Sequence, residues 1–96
     1  MYTNENMRTK IVIPPFLRNF TNNDKVFNAD GNTVGECLND LIKHYPGMKS
    51  LLLDENGRLR TNIDVYINGQ SSYPEELNKP VQEGDEFHIA YVMVGG

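Results

Sequence analysis

The chain has 96 residues, 39% of them hydrophobic and 23% charged, with one Cys and 9 Lys and Arg against 13 Asp and Glu for a formal net charge of −4. This length sustains one core and no second one, which excludes an enzyme cleft between a cofactor domain and a substrate domain and favours a carrier, subunit or binding module. The shortage of Lys and Arg argues against nucleic acid as a partner, and no apolar run approaches the roughly 20 residues of a bilayer span.

Residues 1–7 carry little that can be buried and read as a flexible leader, with Met7 an alternative translation start after residues 1–6. Thr9-Lys10-Ile11-Val12-Ile13 is β-branched and stops at Pro14-Pro15, because proline supplies no ladder donor. A second short strand, Lys25-Val26-Phe27-Asn28, runs into Asp30-Gly31-Asn32, so the first two strands suggest a hairpin. The clearest element is a helix from Val34 to about Tyr45, opened by Thr33 as N-cap with Glu36 three residues on in capping-box spacing. Val34, Leu38, Leu41, Ile42 and Tyr45 fall on one arc at 100° per residue, and Pro46-Gly47 ends the element.

Leu51-Leu52-Leu53 is either strand or helical turn. Ile63-Asp64-Val65-Tyr66-Ile67 alternates and meets Asn68-Gly69, the dipeptide best suited to a tight hairpin. The last strand follows the Glu83-Gly84-Asp85 turn and runs from Phe87 to Val94. Strands grouped around one helix give an α+β fold, and a hairpin, crossover helix and later strands in this order are the connectivity of a ubiquitin-like β-grasp. The expectation is a mixed four- to five-stranded sheet with one main helix across one face, the first and last strands central. A single domain, 8–94, then carries a Gly-Gly tail at 95–96.

Charge and chemistry concentrate towards the C-terminus. Residues 1–48 are balanced in charge, while Glu75, Glu76, Glu83, Asp85 and Glu86 face only Lys79. Gly95-Gly96 follows an apolar strand with no polar spacer. Lacking Cβ atoms, two glycines can thread a narrow tunnel and bring the terminal carboxylate against a nucleotide phosphate. That carboxylate, ionised at neutral pH with a pKa of about 3.3–3.7, is a poor electrophile until activated. Cys37 reads as a packed thiol, and Cys37, His44 and His88 have no metal-ligand spacing, so no metal site is expected. With no paired cysteine and no secretory signal, a reducing cytoplasm fits.

Several segments in order carry a family resemblance: Ile11-Val12-Ile13-Pro14-Pro15-Phe16-Leu17-Arg18, Gly31-Asn32-Thr33-Val34-Gly35, Asp64-Val65-Tyr66-Ile67-Asn68-Gly69, Glu83-Gly84-Asp85-Glu86 and Gly95-Gly96. Across residues 9–96 the chain resembles the ubiquitin-like sulfur carriers (MoaD/ThiS-like), which include the small subunit of molybdopterin synthase, the thiamine sulfur carrier and the carrier of a cysteine-forming pathway. The resemblance implies that an adenylyltransferase like the ubiquitin-activating enzymes uses ATP and Mg to convert the Gly96 carboxylate to an acyl-adenylate. A sulfur donor then leaves a thiocarboxylate. The Ile13–Arg18 stretch looks most like the cysteine-pathway carrier, which implies a PLP-dependent cysteine or homocysteine synthase as acceptor and a zinc metalloprotease that restores Gly-Gly. The tail Ala90-Tyr91-Val92-Met93-Val94 departs from the Pro-Pro-Val-small pattern usual in molybdopterin-type subunits, and also lacks the proline that the cysteine-pathway tail tends to contain.

In this reading the chain is not itself an enzyme and binds no cofactor. Gly96 is the reacting site and Gly95 threads the tail. Tyr91 and Met93 are the exposed apolar contacts for a partner, and Glu83, Asp85 and Glu86 are acidic docking residues beside the tail. Two alternatives stand: a molybdopterin synthase small subunit acting with the large subunit, and a protein modifier conjugated through Gly96.

Overall fold

The computed structural model describes residues 8–92. Strands β1 (Arg8–Val12), β2 (Val26–Asp30), β3 (Ile63–Ile67), β4 (Gln70–Ser71) and β5 (Glu86–Tyr91) form one sheet in the order β2-β1-β5-β3-β4. β1 and β5 are parallel, and the other neighbours are antiparallel, so the sheet is mixed as expected. β5 is the middle strand with β1 beside it, so the first and last strands lie inside the sheet as expected.

Helix α1 (Val34–His44) lies across one face, presenting buried Val34, Cys37, Leu38 and Leu41 to the inward residues of the strands. Those inward residues are Thr9, Ile11 and Ile13 from the first strand segment, Ile63, Val65 and Ile67 from β3, and Phe87 and Ile89 from β5. Burying each Val, Leu, Ile or Phe of this layer contributes about 1.5–3 kcal/mol. Alternation with period two selects the buried set in the strands, and alternation with period 3.6 selects it in the helix.

The entry to α1 refines the expected capping box. Thr33 Oγ1 accepts from the Glu36 N–H at 3.1 Å, but the Glu36 carboxylate accepts from the N–H of Asn32, at 2.8 Å, one residue earlier than the usual reciprocal bond. Thr33 is meanwhile drawn into a bridge with Pro80, flanked by Val34 N–H to Lys79 C=O and Val81 N–H to Asn32 C=O. Glycine is required just upstream: a Cβ at Gly31 would lie 2.8 Å from Glu36 Cβ and 2.9 Å from Cys37 N.

The ambiguous Leu51-Leu52-Leu53 resolves as a helical turn followed by an extended residue. Helix α2 (Lys49–Leu52) ends at Leu53, which bridges to Leu59. Between them Asp54 Oδ1 accepts from the N–H groups of Asn56 and Arg58, and the Arg58 bond leads in holding this carboxyl below its ordinary pKa. The Asn68-Gly69 turn has φ of 52° and 87°, the paired positive values that a tight hairpin requires. β2 runs up to Asp30, at the start of the Asp30-Gly31-Asn32 stop, because Ala29 and Asp30 still pair with Thr9 and Arg8.

Candidate functional site

The site is built around β5, because that strand leads into the terminal glycines. Along its first half β5 is held on both edges: Lys10, Ile11 and Val12 of β1 lie opposite Glu86, Phe87 and His88. Its second half pairs only with β3, through Val65 with Ile89, Asp64 with Ala90 and Ile63 with Tyr91. The N–H of Val92 then donates to Asn62 C=O at 2.9 Å. β1 has by this point turned away at Pro14, and the 3-10 turn Pro15–Phe20 that follows brings Phe16 onto the ring of Tyr91. The two rings stack with centroids 4.2 Å apart and planes 20° from parallel.

Tyr91 is exposed. Met93, Gly95 and Gly96, with the leader at residues 1–7, lie outside the described residues. Glu83 and Asp85 precede β5 and Glu86 opens it, and the seven steps from Asp85 to Val92 span about 23 Å of strand rise, so the three acids stand at the opposite end of β5 from Val92. The described strand thus sets these acids at one end and Val92 at the other; the tail beside which they were expected lies outside the described residues.

The three acids also differ in what they do. Asp85 is committed to the fold: Oδ1 accepts from Asn68 Nδ2 at 2.9 Å and Oδ2 from Gln82 N–H at 2.8 Å. Asn68 completes the clasp, its Oδ1 accepting from Glu86 N–H and its own N–H donating to Glu86 C=O. This ties the β3–β4 turn to the start of β5. The Glu86 carboxylate stands 3.4 Å from His88 Nε2, and Glu83 is exposed.

The sheet face away from α1 carries a row that sequence reading did not assemble. Register aligns Val26, Val12, His88, Tyr66 and Ser71 across all five strands, with Val26 and His88 exposed and Val12, Tyr66 and Ser71 half-buried. Alternation in each strand indicates which residues share a face, but strand order decides which become neighbours.

Among the described residues no group of three or more His, Cys, Asp and Glu side chains could hold a metal ion. Cys37 is fully buried, and the Thr9 hydroxyl donates to its Sγ at 3.3 Å. Burial, the leading influence, raises its pKa above the ordinary 9.0, and the Thr9 bond lowers it in part. A raised pKa stabilises the fold fully below the unfolded value and loses that stabilisation as pH climbs through the folded one. Urea midpoints are therefore expected to fall above about pH 9, with Cys37→Ala removing part of the slope. The remaining slope includes Tyr45, whose hydroxyl donates to Asp24 at 2.6 Å and whose pKa is raised chiefly by that bond. A slope unchanged in Cys37→Ala would contradict the burial argument.

The comparisons with known proteins meet the same architecture. The ThiS family model matches residues 11–96, from the first strand through the last glycine. The chain belongs to the ThiS family. The sulfur carrier protein CysO of Mycobacterium tuberculosis is 29% identical over 93 residues, covering 94% of this chain and 100% of that protein. Small archaeal modifier protein 1 of Haloferax volcanii is 30% identical over 70 residues, covering 72% of this chain and 77% of its own. Among solved structures, a chain from the Amycolatopsis orientalis BexX/CysO complex superposes with a TM-score of 0.82 at 31% identity, covering 92% of this chain and 99% of that one. These neighbours establish the ubiquitin-like β-grasp. No helix among the described residues is long and apolar enough to cross a membrane.

Proposed function

We propose that this chain is a sulfur carrier of the CysO type whose Gly96 carboxylate is activated and exchanged for a thiocarboxylate. The observation that carries the reading is the ThiS family match through Gly96, together with the full-length similarity to CysO. The chemistry has two steps. The Gly96 carboxylate attacks the α-phosphate of ATP, Mg-dependently and in a partner's active site, and pyrophosphate leaves. Sulfide then attacks the acyl-adenylate carbonyl, and AMP leaves with the C–O electron pair. Gly95 and Gly96 present no Cβ to the walls of such a site. The activating partner is of the ubiquitin-activating type. The acceptor is a PLP-dependent cysteine or homocysteine synthase, and a zinc metalloprotease releases the product amino acid and regenerates Gly-Gly.

The similarity to small archaeal modifier protein 1 supports a second reading, in which the same acyl-adenylate ends as an amide on a lysine of another protein. Intact-mass spectrometry separates the two. After incubation with the cognate activating enzyme, ATP, Mg and sulfide, the carrier reading expects a mass gain of one oxygen-for-sulfur exchange localised to Gly96. Lysine adducts appearing without that exchange would favour the modifier. No change in either direction, with an enzyme shown to be active on another carrier, would remove both.

A further inference from the structure

Tyr91 departs from the pattern of its own strand. Parity places it on the helix-facing side with Phe87 and Ile89, which are 0% and 3% exposed, yet Tyr91 is 57% exposed. Its recorded aromatic partner is Phe16, stacked at 4.2 Å. This is also where β5 has lost its β1 neighbour, so the strand end is held by the β3 ladder on one edge and by Phe16 over one face of the Tyr91 ring.

Phe16 is mounted on a constrained base. Pro14 and Pro15 restrict the entry to its turn, and the Leu17 N–H donates to Pro14 C=O at 3.0 Å. Leu17 itself is 1% exposed and anchors the turn in the core. Arg18 Nε donates to Ile13 C=O at 3.0 Å, tying the far side of the turn back to the first strand segment. A ring 37% exposed is thus held in place by buried and hydrogen-bonded neighbours on both sides in sequence.

We propose that Phe16, through its stack on Tyr91, is a positioning residue for the reaction at Gly96: it fixes the Tyr91–Val92 segment that precedes residues 93–96 in the chain. The inference rests on the carrier reading and deepens it. A partner that seats Gly96 beside a nucleotide must hold the residues between that site and the sheet in one path. A base already fixed reduces the freedom lost on seating. Tyr91 stands five positions before Gly96 in the chain, so the effect of the stack falls on productive binding, in KM, and leaves kcat unchanged.

The test uses ATP–pyrophosphate exchange by the cognate activating enzyme, with the full-length chain as varied substrate. Phe16→Ala and Tyr91→Ala are expected to raise KM roughly 2- to 12-fold, the range an aromatic pair is worth, with kcat retained. Tyr91→Phe keeps the stacked ring and should show the parent's amide exchange at Val92. Phe16→Leu keeps apolar area without the stacked ring and should resemble Phe16→Ala, which guards against a folding artefact in the smaller variant. The double variant Phe16→Ala with Tyr91→Ala should be no worse than the more impaired single variant, because both remove one shared contact. Amide exchange at Val92 should quicken in Phe16→Ala.

An unchanged KM in Phe16→Ala overturns the proposal. Multiplying KM effects in the double variant also overturn it, since they would mean that each ring meets the partner independently. If the parent chain itself supports no exchange with an enzyme active on another carrier, the carrier reading fails and the positioning role falls with it. A parent that is active beside an unaffected Phe16→Ala removes the positioning role alone.

Discussion

A chain ending at Gly95 is expected to lose thiocarboxylate formation by at least about 100-fold while keeping its fold, because an active site tolerates misplacement of the reacting atom by only about 1 Å. Removing Gly96 leaves a carboxylate of the same chemistry but draws it back by one residue, roughly 3.3–3.6 Å of extended chain. The pKa and nucleophilicity of the group are conserved, so its position is the variable under test. The core provides the control. Among the described residues every member of the buried cluster lies between Ile11 and Ile89, so the melting temperature should be that of the parent. Intact mass after incubation with activating enzyme, ATP, Mg and sulfide reads the outcome. Sulfur gained by the truncated chain at the parent's rate would overturn Gly96 as the reacting residue.

Replacing Phe87 by Ala should lower the stability of the protein by about 3–5 kcal/mol. Phe87 is 0% exposed and occupies the middle strand, opposite Ile11 of β1 on one side and Ile67 of β3 on the other. Truncating a buried Phe to Ala costs about 3–5 kcal/mol from lost transfer energy and the cavity left behind. A domain of this length has roughly 5–14 kcal/mol in total, so the substitution takes from about a fifth to all of the available stability. Collapse around the cavity is limited, since β5 is paired on both edges at this position and α1 covers the face. Urea denaturation followed by circular dichroism measures the loss. A midpoint within error of the parent would mean that the core does not converge on the middle strand. An exposed position such as Glu83 should give a change of no more than about 0.5 kcal/mol in the same assay.

The two predictions address different parts of the molecule, and those parts were legible in the sequence to different degrees. Helix α1 was readable nearly to its ends because its cap, its apolar arc and its Pro-Gly stop are local signals. The Asn68-Gly69 turn was readable for the same reason: the backbone geometry is demanded by two adjacent residues. The Leu51–Leu53 segment was not, because three consecutive leucines satisfy a strand and a helical turn equally. The choice was made by packing, with Leu52 fully buried and Leu53 bridged to Leu59.

At the candidate site the division is sharper. Gly95-Gly96 and the exposed Tyr91 could be named from the chain alone, since a terminal position and an aromatic residue near it need no partner to be noticed. Phe16 could not. It lies 75 positions earlier, and the only local hint was an aromatic residue set just after two prolines. Asp85 illustrates the converse, an acid that reads as free surface charge until Asn68 and the Gln82 amide are seen to occupy its carboxylate.

By itself, the sequence determined the elements, the α+β arrangement and the chemistry of the chain end, because hydrophobic period, caps, turn dipeptides and a terminal glycine pair act over a few residues. Only the tertiary structure decided what surrounds the last described residues of β5. The parallel pairing of β1 with β5 and the early departure of β1 at Pro14 bring Phe16 to Tyr91, and strand rise carries the acidic residues to the opposite end of the sheet. Both outcomes follow from strand direction and register, which arise from contacts between segments far apart in the chain.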